Sequence, residues 1–395
     1  NHMLQQFENE FRRIYPNAKL LTISSDTLPD VNIAGASKMS KAKLAERKAE
    51  KNAKRQSVLG KIATEDWDGI IISHNIFKRI PMSPEAYNRF YEQQIAEVEQ
   101  AILDINATEG KSGNAIVKTL ETTKKNLEAK LKKNVNEEAK DVVIPFEQLG
   151  VDQIFVDEAD QFKNLYFTTK MRNIAGMSQA NSQRSMDMFM KTQYLMNANN
   201  GRGVVFATGT PISNTMAEMF TMLRYLDNKG LKEKNLGFFD NWAATFATKE
   251  TTAELSPDGS GYRTVEKFTK FNNMPELTKM FRKVADVKKI EDLDLEIPKL
   301  KNGKPTVVEI PMNSALESYI KETAKERATK IHNRAVDPQE DNMLKLTGDL
   351  RKASLDMRLV DASVPASVAG GKIKAVVEHV ADKYKETSAV NGVQL

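Results

Sequence analysis

Ile154-Phe155-Val156-Asp157-Glu158-Ala159-Asp160-Gln161-Phe162-Lys163-Asn164 is the stretch on which the fold turns. Three apolar residues run into two adjacent carboxylates, then a small residue, a third carboxylate and a polar turn. A run this short, bounded this way, predicts a buried strand, since a helix needs a longer apolar pattern. Acidic groups at the C-terminal end of a parallel strand stand where open α/β sheets place their ligands. There Asp157 and Glu158 could hold Mg²⁺ through water and polarise an attacking water. A solvated acidic turn accounts for the same residues equally well, and the stretch alone does not choose.

A second stretch of the same design lies downstream, Gly203-Val204-Val205-Phe206-Ala207-Thr208-Gly209-Thr210-Pro211-Ile212-Ser213-Asn214. An apolar strand meets a sharp polar turn, and Ser213 or Asn214 is expected to cap a helix over Thr215–Leu226. An ordinary capped turn explains Pro211 and Asn214. It does not explain two hydroxyls, Thr208 and Thr210, flanking Gly209 at the sheet edge expected for Asp157 and Glu158.

Composition bounds the rest. The 395 residues leave room for two or three domains. Hydrophobic content of 40% against 28% charged indicates a globular protein with a charge-rich surface. No run approaches the ~18 apolar residues of a membrane span, so no membrane association is expected. The absence of cysteine excludes disulfides and cysteine-ligated zinc, and four scattered histidines argue against a histidine metal site. A cytoplasmic setting fits. The net charge of +5 is too small to announce a nucleic-acid partner by itself. Asn1-His2-Met3 looks like a cloning scar and is set aside.

Working outward, Leu4, Phe7, Phe11 and Ile14 predict an amphipathic helix over 4–15, and Lys19–Ile23 a strand after Pro16. From Lys38 to Lys61 nine basic residues stand against Glu46 and Glu50 in an alanine-rich, helical stretch. Such a run is usually a solvated face; Lys48, Lys51 and Arg55 are its candidate phosphate contacts. Trp67–His74 reads as a turn and another buried strand, with His74 a hydrogen-bonded positioning residue at its end. Tyr91, Ile95, Val98, Ile102 and Ile105, then Ile116, Leu120, Thr123 and Leu127, step at heptad-like spacings and predict an antiparallel helical hairpin. Gly110-Lys111-Ser112 mimics the end of a phosphate loop. It is a decoy, because the glycine required five residues earlier is Ile105.

Met186, Met188, Met190, Tyr194 and Leu195 read as core-facing helix positions. Residues 228–300 are poorly patterned, with helices expected near 236–248 and 275–288 and a loop at Leu255–Gly261. A strand is expected at Pro305–Ile310, and helices over 314–335, 340–358 and Lys372–Tyr384. Gly392–Leu395 reads as the first residues of a further strand.

Taken together, Val156-Asp157-Glu158-Ala159-Asp160 resembles the Walker B motif, and Thr208-Gly209-Thr210-Pro211-Ile212-Ser213-Asn214 the third motif, of Swi/Snf-like superfamily-two DEAD/DEAH-box helicases. Lys163-Asn164 and the stretch Trp67–Pro81 are similar to the same family. The overall pattern looks most like the helicase region of very large bacterial, phage and plasmid proteins, some with a DNA methylase segment. The resemblance implies an α/β fold: a RecA-like parallel sheet flanked by helices, as an incomplete first helicase lobe with a helical hairpin insertion and a helical C-terminal region. It divides the chain into 4–83 (first part of lobe 1), 84–145 (hairpin), 146–230 (lobe 1 with both motifs), 231–360 (helical linker) and 361–395 (start of lobe 2).

By the same resemblance the nucleotide is ATP with Mg²⁺. Asp157 would bind the metal through water, and Glu158 would orient or deprotonate the attacking water. Thr208, Gly209 and Thr210 would couple nucleotide state to DNA and to a second helicase lobe, and Ser73 and His74 would lie near the DNA. The chain departs from the pattern in three ways. The box reads Asp-Glu-Ala-Asp, not Asp-Glu-Ala-His; the spacing to Thr208 is long; and no phosphate-loop Gly-Lys-Thr or Gly-Lys-Ser precedes the box. The expectation is a piece of a DNA translocase with negligible ATPase activity by itself. The alternatives are a degenerate RecA-like module that binds DNA or a partner, and a metal nuclease built on Asp157, Glu158 and Asp160.

Overall fold

The computed structural model describes residues 2–30, 39–108, 114–137, 144–171, 174, 177, 182–213, 215–255, 262–293, 295–296 and 303–388. The decoy at Gly110–Ser112, the loop at 256–261, Lys38, Asn214 and Gly392–Leu395 lie outside them. Residues Asn1–Glu250 with Glu266–Val287 form one compact unit, and Thr251–Val265 with Lys288–Leu395 another.

The first unit is α/β. Helix α1 (His2–Ile14) ends before Pro16, whose ring and missing N–H cannot continue it. Strand β1 (Leu20–Ile23) follows, then α2 (Lys41–Thr64), capped by the Ser40 side chain. β2 (Gly69–Ile72) pairs with β1 in parallel, and the one-turn helix α3 (His74–Phe77) starts at its end. Helices α4 (Pro84–Thr108) and α5 (Asn114–Glu137) make the expected hairpin. Its seam is buried at Tyr91, Val98, Ile105, Leu120 and Leu127 and joins the main core, so the hairpin is part of the fold's packing. Each fully buried aliphatic side chain there contributes about 1.5–3 kcal/mol.

β3 (Ile154–Val156) and β4 (Val204–Phe206) pair in parallel around α6 (Gln183–Ala198). The parallel strands thus form two separate pairs among the described residues. β3 is half-buried, not buried throughout: Ile154 and Val156 face the core while Phe155 is 75% exposed. Its register partner Val205 is exposed as well, because the core and α6 cover one face of this pair. Met186, Met188, Met190 and Leu195 of α6 are buried as expected, with Tyr194 packed at the edge.

Helix α7 (Ala217–Glu233) bends at Asp227 and packs with α8 (Phe239–Phe246) and α9 (Met274–Arg282) around Phe167, Phe220, Phe239, Trp242 and Phe246. Between α8 and α9 the chain forms β5 (Ala247–Leu255) and β6 (Tyr262–Phe271), which pair with each other. Sequence patterning missed this hairpin because β5 is mostly threonine and charged residues, and the apolar residues of β6, Val265, Phe268 and Phe271, recur every three positions and not every two.

The second unit is helical beyond the hairpin tip. It contains α10 (Ser314–Ser318), a wider π-helical segment at Tyr319–Ala324, α11 (Lys325–His332), α12 (Met343–Leu355), α13 (Ala366–Ala369) and α14 (Lys372–Thr387). Asn313 and Asn342 cap α10 and α12 with their side chains. Its apolar core is small, centred on Ala324, Ala328 and Leu346. Arg327 supplies polar cohesion, with both oxygens of Asp341 at 2.7 Å and Asp349 at 3.0 Å. The strand expected at Pro305–Ile310 does not form. That segment is exposed, with Val307 81% accessible and no pairing strand among the described residues. Among those residues no helix is long and apolar enough to cross a membrane.

Candidate active site

The ladder between β3 and β4 runs past the strands into both polar turns. Ile154 N donates to Gly203 O at 2.9 Å, Ala207 N to Val156 O at 2.8 Å, and Ala159 N to Ala207 O at 3.0 Å. The acidic box and the Thr-Gly-Thr turn therefore leave the same end of one strand pair. Gly203 allows this approach: its φ is +94°, and a Cβ there would stand 2.7 Å from Asp152 O.

Asp157 and Glu158 are exposed at that end. Glu158 adopts a left-handed backbone, φ 51° and ψ 46°. A non-glycine residue pays for this conformation, and functional sites are where such strain is kept. The next carboxylate has a different task. Asp160 accepts a hydrogen bond from the Thr208 hydroxyl at 3.2 Å, and that hydroxyl accepts from Thr210 N at 3.1 Å. Asp160 thus ties the two turns together.

A second tie lies deeper. Lys163 Nζ donates to Ser213 Oγ and pairs with Glu218 at 3.3 Å, with Glu218 only 4% exposed. Glu218, in the first turn of α7, reaches back to accept from Ser213 N at 2.6 Å. Ser213 is therefore not the helix cap; Thr215 Oγ1 takes an orphan amide instead, accepting from Ala217 N at 3.1 Å. The turn after the carboxylates is held by successive carbonyls. Gln161 O accepts from Arg184 (2.9 Å), Phe162 O from Tyr225 (3.1 Å) and Lys163 O from Thr221 (3.0 Å). Burial pushes the Tyr225 phenol well above its ordinary range, so it remains a donor.

Ser73 O accepts from Ile76 N and Phe77 N, each at 2.9 Å, to start α3. His74 makes no side-chain hydrogen bond among the described residues. Its ring packs on Phe162, centroids 5.0 Å apart, so it positions by an aromatic contact where a hydrogen bond was expected. The other end of α3 is held by Lys191 of α6. Its fully buried ammonium donates to Phe77 O at 3.0 Å and to Asp187 at 2.7 Å, over the Phe77 ring. Burial lowers the Lys191 pKa and raises that of Asp187; each partner opposes the shift of the other.

Of the three basic candidates, Lys48 alone is exposed. Lys51 donates to Asp30 O at 2.9 Å, and Arg55 is buried, donating to Arg79 O at 2.6 Å and Pro29 O at 3.4 Å. Their heads serve the fold. The sequence reading missed the Lys163–Glu218 and Lys191–Asp187 pairs. The only local signal was an acidic residue in a first helical turn and an i,i+4 pair inside an apolar pattern.

No group of three or more acidic or histidine side chains suited to a metal occurs among the described residues. The two exposed carboxylates do suit a hard cation that keeps most of its water and takes its remaining ligands from phosphate.

No solved structure matches the chain. The defense against restriction protein B of Escherichia phage P1 is 29% identical over 163 residues, which is 39% of this chain and 7% of that protein. The chain thus spans a small fraction of that relative's length. The family model described as a probable helicase domain matches residues 32–289, which include the β3–β4 pair, both polar turns and the helical hairpin. That match covers more than half of the sequence, and the chain belongs to the probable helicase domain family.

Proposed function

We propose that the chain carries the hydrolytic half-site of an ATP-dependent DNA translocase of Swi/Snf type, within a longer protein. The observation that carries the reading is the joint exit of the acidic box and the Thr-Gly-Thr turn from one parallel pair, locked by Thr208 on Asp160. Asp157 would hold Mg²⁺ through water. Bound there, the ion would neutralise charge on the phosphates. Glu158 would orient the attacking water and take its proton; Thr208, Gly209 and Thr210 would pass the state of the site to DNA and to a second lobe. Similarity to a phage protein fits the class of very large phage and plasmid helicases.

The 395 residues contain no phosphate-loop lysine motif. Such a lysine supplies much of the stabilisation of phosphoryl transfer, so the chain alone is expected to hydrolyse ATP negligibly. In the longer protein, Glu158→Gln is expected to lower DNA-stimulated hydrolysis by about 10²–10⁴-fold, the usual worth of a general base. Mg-ATP binding should remain. Unchanged hydrolysis in that variant would remove Glu158 from the mechanism. DNA-stimulated hydrolysis by the isolated chain, lost in Glu158→Gln, would overturn the half-site reading.

A further inference from the structure

The inner face of α2 spends its cations on the fold; a different row of cations on the same helix does not. Lys43, Arg47, Lys54 and Lys61 follow one another at spacings of four, seven and seven residues. At 100° per residue these positions fall within about 40° of each other, in a line about 27 Å long. All four side chains are exposed. None makes an ion pair among the described residues, although Glu46 and Glu50 stand within one turn of Lys43, Arg47 and Lys54. The Arg47 guanidinium approaches only the Met39 sulfur, at 3.9 Å.

We propose that this row on α2 is a contact surface for the phosphate backbone of duplex DNA. Unpaired cations in a line complement a polyanion whose charges also lie in a line. A protein partner would call for an apolar centre within the patch, and a membrane surface for exposed large apolar side chains beside the basic row. The helix exposes no large hydrophobic residue along its length. The row is tied to the candidate site through one packed path. Arg55, on the inner face of α2, holds Arg79 O just beyond α3, and His74 at the start of α3 packs on Phe162. The surface rests on the nucleic-acid part of the reading above and not on its nucleotide part.

The test is binding of this chain to a labelled DNA duplex by fluorescence anisotropy across a salt series. The first variant changes Lys43, Arg47, Lys54 and Lys61 together to alanine. Alanine is the strongest helix former, so α2 is retained, and far-UV circular dichroism verifies it. The control variant removes the same charge from exposed lysines elsewhere, Lys118, Lys125, Lys132 and Lys229. Loss of four phosphate contacts should flatten the slope of log K against log salt by about 3–4 and weaken binding in 0.1 M salt by about 100-fold or more. The control should keep the wild-type slope to within about one. Equal binding by the row variant and wild type overturns the surface and leaves the helicase reading intact. Wild-type chain that binds no duplex overturns the surface and the nucleic-acid part of the reading together. Polyglutamate bound as tightly as the duplex, with the same dependence on the row, overturns it in favour of an acidic protein.

Discussion

Glu158 shows how much of the site is set at a single backbone position. Its left-handed φ and ψ turn the chain sharply after β3, so that Asp157 and Glu158 stay at the exposed strand end while Ala159 returns to the core. Only glycine adopts that conformation without cost. Glu158→Gly should therefore unfold at higher urea than Glu158→Ala, by the equivalent of about 1 kcal/mol. Tryptophan fluorescence reports it, since Trp242 is fully buried in the first unit. An alanine variant as stable as the glycine variant would show that the turn stores no strain. Nothing in the residue's identity announced this, because φ depends on where Ala159 N must go to meet Ala207 O. The types of Asp157, Glu158, Thr208 and Thr210 were legible. The division of labour among the three carboxylates was not, since it depends on Thr208 reaching Asp160 across two strands.

At the scale of elements, helices with an apolar seam were legible and polar strands were not. α4 and α5 follow from spacing because one buried face imposes a helical period, and α1 follows from the same spacing although Phe7 and Ile14 stay exposed. The β5–β6 pair lacks a regular apolar alternation, and Pro305–Ile310 has strand-like residues but no pairing strand among the described residues. Strand pairing is a tertiary event, and β3 with β4 is the pair that matters here. Its close approach depends on Gly203. Gly203→Ala would need an unfavourable positive φ and would push a methyl against Asp152 O, 2.7 Å away. The expected loss is about 1–3 kcal/mol. Hydrogen exchange at Ile154 N and Ala207 N, which carry the ladder, should accelerate in step with it. Unchanged protection of those two amides would show that the pair's register does not depend on Gly203.

For the whole molecule, the two units owe their cohesion to different forces. The first is built on aromatic and aliphatic burial, the second largely on charged hydrogen bonds around small side chains. Hydrogen bonding from Arg327 holds the Asp341 carboxyl below its ordinary 3.8, and Arg358 brings Asp356 down to about 2. These carboxyls bind protons less readily folded than unfolded. Their stabilisation is complete above the ordinary carboxylate range and is lost as pH falls through 3.8 towards about 2. Acid titration should therefore show a transition of the second unit in far-UV circular dichroism, shifted to higher pH in Arg327→Lys. Both tryptophans, Trp67 and Trp242, lie in the first unit, so that step should be silent in their emission. A tryptophan signal moving together with the helical signal would show that the units do not separate in acid.

The sequence by itself determined the α/β class, the helical hairpin, the methionine-lined helix and the two polar turns. Each rests on residue types and local periods, which short-range sterics and burial of one face dictate. Only the tertiary structure decided that the two turns share a strand pair, that Asp160 ties them while Asp157 and Glu158 stay exposed, and that Lys51 and Arg55 are consumed within the fold. It also decided which cations of α2 remain outside. These outcomes depend on contacts between residues some 20 to 60 positions apart, such as Lys51 with Asp30 and Lys163 with Glu218, and no local pattern encodes which distant carbonyl or carboxylate a side chain will meet.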